Sequence, residues 1–192
     1  RRCYALSVAE LPGRCVFRVD CEGSVIARPC CSAALCGAGV LHRVFVASQD
    51  GKVRAVAKRG PCEYECLWET DVSAPVFAGL VTVGSACIAA DVTGKVTSLA
   101  VDTGAVRWTT QCCAEGIFAT PVLYGAGSLL VSLRSGELRC LCVASGEQRW
   151  SLKVADAALT SAGIDDRVAC VGSANGTLAA IQLRSESEPP RL

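Results

Sequence analysis

The sequence predicts an all-β chain folded as four-stranded β-propeller blades. Three observations predict it. First, a turn dipeptide recurs four times, as Asp50-Gly51, Thr93-Gly94, Ser135-Gly136 and Asn175-Gly176, with glycine spacings of 43, 42 and 40 residues. Second, aligning on those glycines brings apolar columns into register. Six residues before stand Phe45, Ile88, Leu130 and Cys170, and five before stand Val46, Ala89, Val131 and Val171. Two after come Val53, Val96, Leu138 and Leu178, and five after come Val56, Leu99, Leu141 and Ile181. Third, Trp108 and Trp150 each follow their glycine by 14 residues, and Trp68 takes the same place after a three-residue insertion around Gly60-Pro61. A repeat near 42 residues carrying four short strands is the mark of propeller blades.

Each element has a local cause. Asp-Gly and Asn-Gly between apolar runs favour a tight hairpin, because the turn needs positive φ. Short β-branched runs on either side suit strands. A second turn, Asp102-Thr103-Gly104 in one copy and Ala144-Ser145-Gly146 in the next, leads into the Trp strand. Phe17 stands in the Trp place of the first, partial copy. The following strand is expected to open at Arg28-Pro29-Cys30, Ala74-Pro75-Val76 and Thr120-Pro121-Val122, with Thr160-Ser161-Ala162 in the last copy. A helical solenoid of the same period is excluded, because no 11-residue window is both helix-periodic and free of turn signals. The pieces run 1–21, 22–71, 72–110, 111–154 and 155–184, for seventeen strands, followed by a flexible polar tail at 185–192. The expectation is an incomplete ring of about four blades with upstream blades missing. That leaves apolar faces exposed around Tyr4, Leu6, Val16 and Phe17 at one end and around Val168, Val171 and Leu178 at the other, with Leu178 to Leu183 an open strand edge. A strained four-blade closure is the alternative.

Composition limits the function classes. The net charge of +1, from 19 basic and 18 acidic residues, provides no electrostatic footprint for nucleic acid or an anionic membrane. The 51% apolar content excludes a disordered chain. The chain has no Met, so it reads as a fragment of a longer polypeptide, and Arg1 to Leu6 has no apolar core of a signal peptide. Val72 to Ala90 is uncharged, but Pro75, Gly79 and Gly84 and the repeat pattern divide it into strands rather than a membrane span. The 14 Cys show no disulfide framework. Cys87, Cys140, Cys142 and Cys170 fall in apolar strand patterns, where free Cys behaves as a small hydrophobe. A reduced, cytoplasmic protein is expected.

Two segments carry a family resemblance. Leu99-Ala100-Val101-Asp102-Thr103-Gly104-Ala105-Val106-Arg107-Trp108 resembles the repeat of pyrroloquinoline-quinone-type propellers, as does Leu141 to Trp150. That repeat reads Leu-Asp-x-x-Thr-Gly-x-x-x-Trp. The chain keeps its Leu, Gly and Trp, and departs at the Asp, which is Ala100 or Cys142. The chain is also similar to the C-terminal propeller of the beta-alanine-activating branch of the acyl-CoA synthetase family. The similarity rests on the Ile117-Phe118-Ala119-Thr120-Pro121 type of strand opening, on the Cys-rich strands and on the final Val171-Gly172 to Leu183 hairpin. It implies a parent that is an ATP-dependent adenylate-forming ligase, with its active site upstream and none of that chemistry here.

Candidate chemistry yields to structural readings. Trp68, Trp108 and Trp150 could floor a planar cofactor, but a buried Trp on an outer strand suits packing between blades. Cys30-Cys31 and Cys112-Cys113 could form the vicinal disulfide of quinone dehydrogenases. Such enzymes also need Ca²⁺ oxygen ligands, and the only Asn, Asn175, sits in a hairpin turn. Cys62-x-x-x-Cys66, Cys140-x-Cys142 and the single His42, placed in a loop before Val44, do not make a zinc set. Gly37-Ala38-Gly39 and Gly125-Ala126-Gly127 are strand-to-strand turns that open no helix. Asn175-Gly176-Thr177 matches a glycosylation sequon, but the turn itself wants Asn-Gly.

The expectation is a non-catalytic propeller domain, with no cofactor and no catalytic or metal residue. Its partner would be a protein, or upstream domains of the same polypeptide. Gly51, Gly94, Gly136, Gly176, Trp68, Trp108 and Trp150 are its structural repeat residues. A quinone-dependent dehydrogenase fragment and an extracytoplasmic scaffold of the outer-membrane-assembly type are the alternatives. Adding pyrroloquinoline quinone and Ca²⁺ to the protein should produce no protein-bound quinone absorbance; stoichiometric binding with dehydrogenase turnover would overturn the non-catalytic reading.

Overall fold

The computed structural model describes residues 2–6, 15–36, 39–58, 64–125, 127–184 and 189–190. Among them the chain is all β, with no helix. Strands β1 (Arg2–Leu6) and β2 (Cys15–Asp20) pair as a leading hairpin. A first blade follows, of β3 (Cys30–Cys36), β4 (Gly39–Ala47), β5 (Lys52–Lys58) and β6 (Tyr64–Asp71). The second blade is β7 (Val81–Val83), β8 (Ala86–Ala90), β9 (Lys95–Ala100) and β10 (Val106–Gln111). The third is β11 (Val122–Tyr124), β12 (Ser128–Ser132), β13 (Glu137–Cys142) and β14 (Gln148–Lys153). The fourth has three strands, β15 (Gly163–Asp165), β16 (Val168–Gly172) and β17 (Leu178–Gln182). Each sheet is an antiparallel meander in sequence order, and the innermost strands β3, β7, β11 and β15 stand side by side in series. The sheets form open, unclosed blades of a β-propeller.

Strand alternation explains how the blades stack. Successive side chains point to opposite faces, so every blade has a forward and a reverse apolar face. Phe45, Ala47, Val53 and Ala55 on the forward face of the first blade meet Cys87, Ala89, Leu99 and Val101 on the reverse face of the second. Ala86, Ile88, Ala90 and Val96 make a second core with Leu129, Val131 and Leu141. Leu130, Leu138 and Cys140 face Ala169, Val171 and Ile181 in a third. The core is therefore a row of junctions between blades. Both faces of β8 and β12 are consequently buried along their whole length. Full burial of one Leu, Ile or Phe stabilises by about 1.5–3 kcal/mol, so the junctions dominate the stability of the fold.

A polar clamp fixes the spacing of successive blades. In β6, β10 and β14 a bulge falls beside the Trp, so that the cross-strand register passes over Leu67, Arg107 and Arg149. Such an extra residue turns the strand and re-aims the next side chain. Trp68 Nε1 donates to Val101 O of the next blade at 3.0 Å, and Trp108 Nε1 donates to Val143 O at 2.9 Å. Two residues on, Thr70 Oγ1 donates to Gly104 O and Thr110 Oγ1 to Gly146 O, each at 2.7 Å. The indole ring lies so close over the turn that only glycine fits: a Cβ on Gly146 would stand 2.5 Å from Trp108 and 2.6 Å from Thr110 Oγ1. Trp150 repeats the burial, but Leu152 replaces the Thr, and its Nε1 has no partner among the described residues. Residues 185–188, where the matching turn would fall, lie outside the described residues.

Two expectations need correction. β3 and β11 do start right after Pro29 and Pro121, but β7 starts at Val81, six residues beyond Pro75. Cross-strand register puts Val81 opposite Ile88, as Cys30 is opposite Phe45 and Val122 opposite Leu130. Leu80 thus occupies the Pro column, and Pro75 sits in the preceding connection. His42 is an exposed residue inside β4, not in a loop, because the β3–β4 pairing continues out to Cys36 and Gly39. Several expected features lie outside the described residues: the side chains of Tyr4, Leu6, Val16 and Phe17, the Gly60-Pro61 insertion, Cys62, the Gly37-Ala38 turn and most of the tail.

Two glycine substitutions separate the clamp from ordinary turn strain. Gly146 and Gly176 both hold positive φ, at 76° and 89°, but nothing lies within 4 Å of a Cβ on Gly176. Gly176→Ala should cost about 1–2 kcal/mol, the left-handed penalty alone. Gly146→Ala should cost roughly 1–3 kcal/mol more, through collision with Trp108. Equal losses in urea melts of the two variants would show that the indole does not constrain the turn.

Candidate functional site

The residues singled out in the sequence do not come together as a catalytic centre. Gly51, Gly94, Gly136 and Gly176 cap separate hairpins, and Trp68, Trp108 and Trp150 lie on three separate outer strands. Trp68 and Trp150 are buried, Trp108 is half-buried, and all three pack in blade junctions rather than lining an open floor. No group of three or more His, Cys, Asp or Glu is placed to hold a metal among the described residues. The residues present do not fit a pyrroloquinoline quinone, since the indole faces are already taken by the neighbouring blade.

The adjacent cysteines are divided by the backbone. Cys30 and Cys31 open β3, and strand alternation turns them to opposite faces. Cys30 packs on the first junction, whereas Cys31 is exposed. Cys112 is buried just after β10, and burial pushes its thiol up to about 11. Cys113 is half-buried and donates to Glu115 O at 2.9 Å. Cys142 differs: its thiol is held below the usual range, mainly by hydrogen bonds from Ser145. Cys142 borders an open cavity of about 310 Å³ that Arg107 and Arg149 also line. Cys140, two residues away on the same strand, is wholly buried in the third junction, so the two thiols share no site.

The first hairpin carries the densest charge cluster. Arg54 donates from Nη2 to Asp50 Oδ2 at 2.8 Å and pairs through Nε with Glu69 Oε2 at 2.7 Å. Lys52 Nζ pairs with the other Glu69 oxygen at 2.8 Å. Burial pushes the Asp50 carboxyl up, but hydrogen bonds from Arg54, Ser48 and the Lys52 N–H together hold it well below the usual range. The cluster borders an open cavity of about 290 Å³ between β2 and the first blade, lined by Arg18, Asp20 and Tyr64 among others. Its groups neutralise one another, which makes it a turn-fixing network rather than a ligand site.

The surface that stands apart is the forward face of the fourth blade. Columns buried in three blades open in this one. Leu178 is 76% exposed, whereas Val53, Val96 and Leu138 at the same place are 0% exposed. Cys170 is exposed where Phe45, Ile88 and Leu130 are buried, and Ala180 is exposed where Ala55, Ser98 and Cys140 are buried. The reverse face is normal, with Ala169, Val171 and Ile181 wholly buried. The hairpin tip is uncovered as well. Val72, Cys112 and Val154 follow the fourth strand of their blades and donate to the carbonyls of Gly51, Gly94 and Gly136. The fourth blade has no such strand among the described residues, and Gly176 is exposed. An apolar face beside an unpaired strand edge is a ready surface for another polypeptide. Burial in a core strand, expected for Cys170, does not hold because this face has no neighbour among the described residues.

Sequence reasoning missed Thr70 and Thr110, whereas the exposure of Leu178 agrees with the expectation of a last blade that lacks a fourth strand and has no forward neighbour. A Trp-x-Thr pattern at 68–70 and 108–110 was available to find the two threonines. Val171, expected exposed beside Leu178, is instead wholly buried, because strand alternation turns it to the reverse face that packs on the third blade.

Acid titration tests the charge cluster. The folded Asp50 lies below the unfolded carboxylate value of about 3.9. Its stabilisation is therefore full above that pH and is lost as pH falls through it toward the folded value. The gap in melting temperature between the wild type and Asp50→Asn should be widest near neutrality and shrink below about pH 4. A gap independent of pH would contradict the pairing.

Comparison with known proteins places this geometry. A family model described as outer membrane protein assembly factor BamB, of the PQQ_2 repeat type, matches residues 32–188. Among solved structures, BamB from Moraxella catarrhalis superposes with a TM-score of 0.72 at 16% identity, covering 90% of this chain and 54% of that one. Sqt1 from Chaetomium thermophilum gives a TM-score of 0.79 at 14% identity, covering 98% and 53%. The computationally designed Ika4 protein gives 0.69 at 13% identity, covering 86% and 94%. The chain thus spans about half the length of BamB and of Sqt1. A search of curated proteins finds no match to the sequence. At these identities the structures speak for the β-propeller fold, while the repeat model spans most of the chain, and the chain belongs to the PQQ-repeat family described as outer membrane protein assembly factor BamB.

Proposed function

We propose that this chain is a non-catalytic interaction module that docks a protein surface through the forward face of its fourth blade. The observation that carries the reading is the exposure of Leu178, Cys170 and Ala180 in columns that every other blade buries. Loops and edges on a rigid propeller suit recognition, and function is argued from that surface rather than from the fold name. The partner in this reading is another part of the same polypeptide.

The finer identity of that polypeptide rests on sequence resemblance. Placement at the C-terminal end of a cytoplasmic, adenylate-forming protein of the acyl-CoA synthetase family is supported by the Ile117 to Pro121 opening and the Cys-rich strands. A second reading, a scaffold propeller of outer-membrane assembly, is favoured by the repeat-family match over residues 32–188. The complete reading frame separates them, through an adenylation motif in the first case and a secretion signal in the second.

The face itself is testable on the chain as it stands. Size-exclusion chromatography with light scattering should show concentration-dependent association. Leu178→Asp should weaken that association and change folding stability by no more than about 0.5 kcal/mol, as for an exposed site. Leu138→Asp, at the buried equivalent, should cost more than about 4 kcal/mol. A monodisperse monomer at all concentrations, indifferent to Leu178→Asp, would contradict the proposed face.

A further inference from the structure

The repeat allows equivalent positions to be compared across junctions, and one of them has unusual chemistry. Where the innermost strand of a blade meets the second strand of the next, aliphatic side chains pack in two of three cases. Val81 and Leu129 share the second junction core, and Val122 and Ala169 share the third. In the first junction the same two places hold Cys30 on β3 and Cys87 on β8. Cys30 packs on the core cluster that contains Cys87, the two thiols are close enough to act on each other, and both are free. Cys87 is wholly buried, so an external reagent does not reach it directly. Cys30 is half-buried, and it borders an open cavity of about 460 Å³ lined also by Arg28, Cys31, Leu80 and Thr82. One member of the pair is thus reachable, and the other is reachable only through it.

We propose that Cys30 and Cys87 form an oxidisable pair, a site of disulfide cross-linking between the first and second blades. The oxidant is a small disulfide, RSSR. The Cys30 thiol loses its proton and its sulfur attacks one sulfur of RSSR; the R–S–S–R bond breaks and the leaving thiolate takes up a proton as RSH. Cys87 then loses its proton and attacks the Cys30 sulfur, breaking the mixed disulfide and releasing a second RSH. Two protein thiols are oxidised and one external disulfide is reduced to two thiols, as in ordinary exchange through a mixed disulfide. Contact with Cys30 and burial both raise the Cys87 thiol above its usual range, so the second step is slow at neutral pH and faster in alkali. Cys31, on the opposite face of β3, cannot replace Cys87, and no vicinal bond forms. The bond would tie together residues far apart in sequence and restrict the unfolded chain.

Oxidised glutathione supplies the test. The native protein is treated at pH 8.5, its remaining thiols are alkylated under denaturing conditions, and the peptides are mapped by mass. The expected product is a Cys30–Cys87 linked peptide two hydrogens lighter than the reduced pair. The melting temperature should rise by roughly 10 °C and return to the starting value with dithiothreitol. Cys87→Ala should trap glutathione on Cys30, and Cys30→Ser should leave Cys87 unmodified. Two results would overturn the inference: a Cys30–Cys31 bond, or wild-type protein in which Cys31, Cys66 and Cys170 carry glutathione while Cys87 stays fully alkylatable. The mapping reads the wild-type chain, so its outcome does not depend on whether either variant folds.

Discussion

The structure depends on one constraint: a blade is too thin to bury its own apolar residues and must lay each face on a neighbour. A single antiparallel sheet exposes two apolar faces, and water penalises both. The three cores among the described residues are accordingly not inside blades but between them. The Trp68 and Trp108 indoles add direction to that stacking. Each reaches forward, never back, and meets a glycine turn that has no room for a side chain. Hydrophobic burial supplies the drive, and the clamp sets the register at which blades meet.

Directionality makes the two ends of the row different. The reverse face of the first blade has the leading hairpin beside it, with Arg18 and Asp20 near Val56 and Tyr64. The forward face of the fourth blade has nothing against it among the described residues, and its third strand offers an unpaired edge. A surface shaped to receive a blade is shaped to receive protein, which is why the interaction reading follows from the packing rule. Cys170 illustrates the coupling: the same column that buries Phe45 in the first blade leaves a thiol exposed in the last.

The blade pattern was legible in the sequence because glycine and tryptophan are set by local sterics and by periodicity. Asp-Gly and Asn-Gly report turn geometry directly, and the 14-residue step to Trp108 and Trp150 reports the outer strand. What escaped was context. Pro75 looked like Pro29 and Pro121, yet hydrogen-bond register, not the local tripeptide, decides where β7 begins. His42 looked like a loop residue because the length of a hairpin arm depends on its partner strand. Leu178 matches Leu138 as a letter in a column, and only its place in the last, three-stranded blade marked it for exposure. Whether an apolar strand residue is covered is decided by the next blade, and its own neighbours in sequence carry no record of that. The contact of Cys30 with Cys87 was hidden for the same reason, since the two lie in different blades.

Amide hydrogen exchange on the intact chain tests the central claim most directly, because it reads blade by blade how firmly each strand is held. If stability resides in junctions, the strands covered on both faces, β8, β9, β12 and β13, should be the slowest to exchange. Strands β16 and β17, both covered on one face and β17 also open at an edge, should exchange at least an order of magnitude faster, with the Trp-bearing strands between these limits. Uniform protection across all four blades, with β17 as slow as β13, would contradict the account. It would show that the forward face of the fourth blade is already closed.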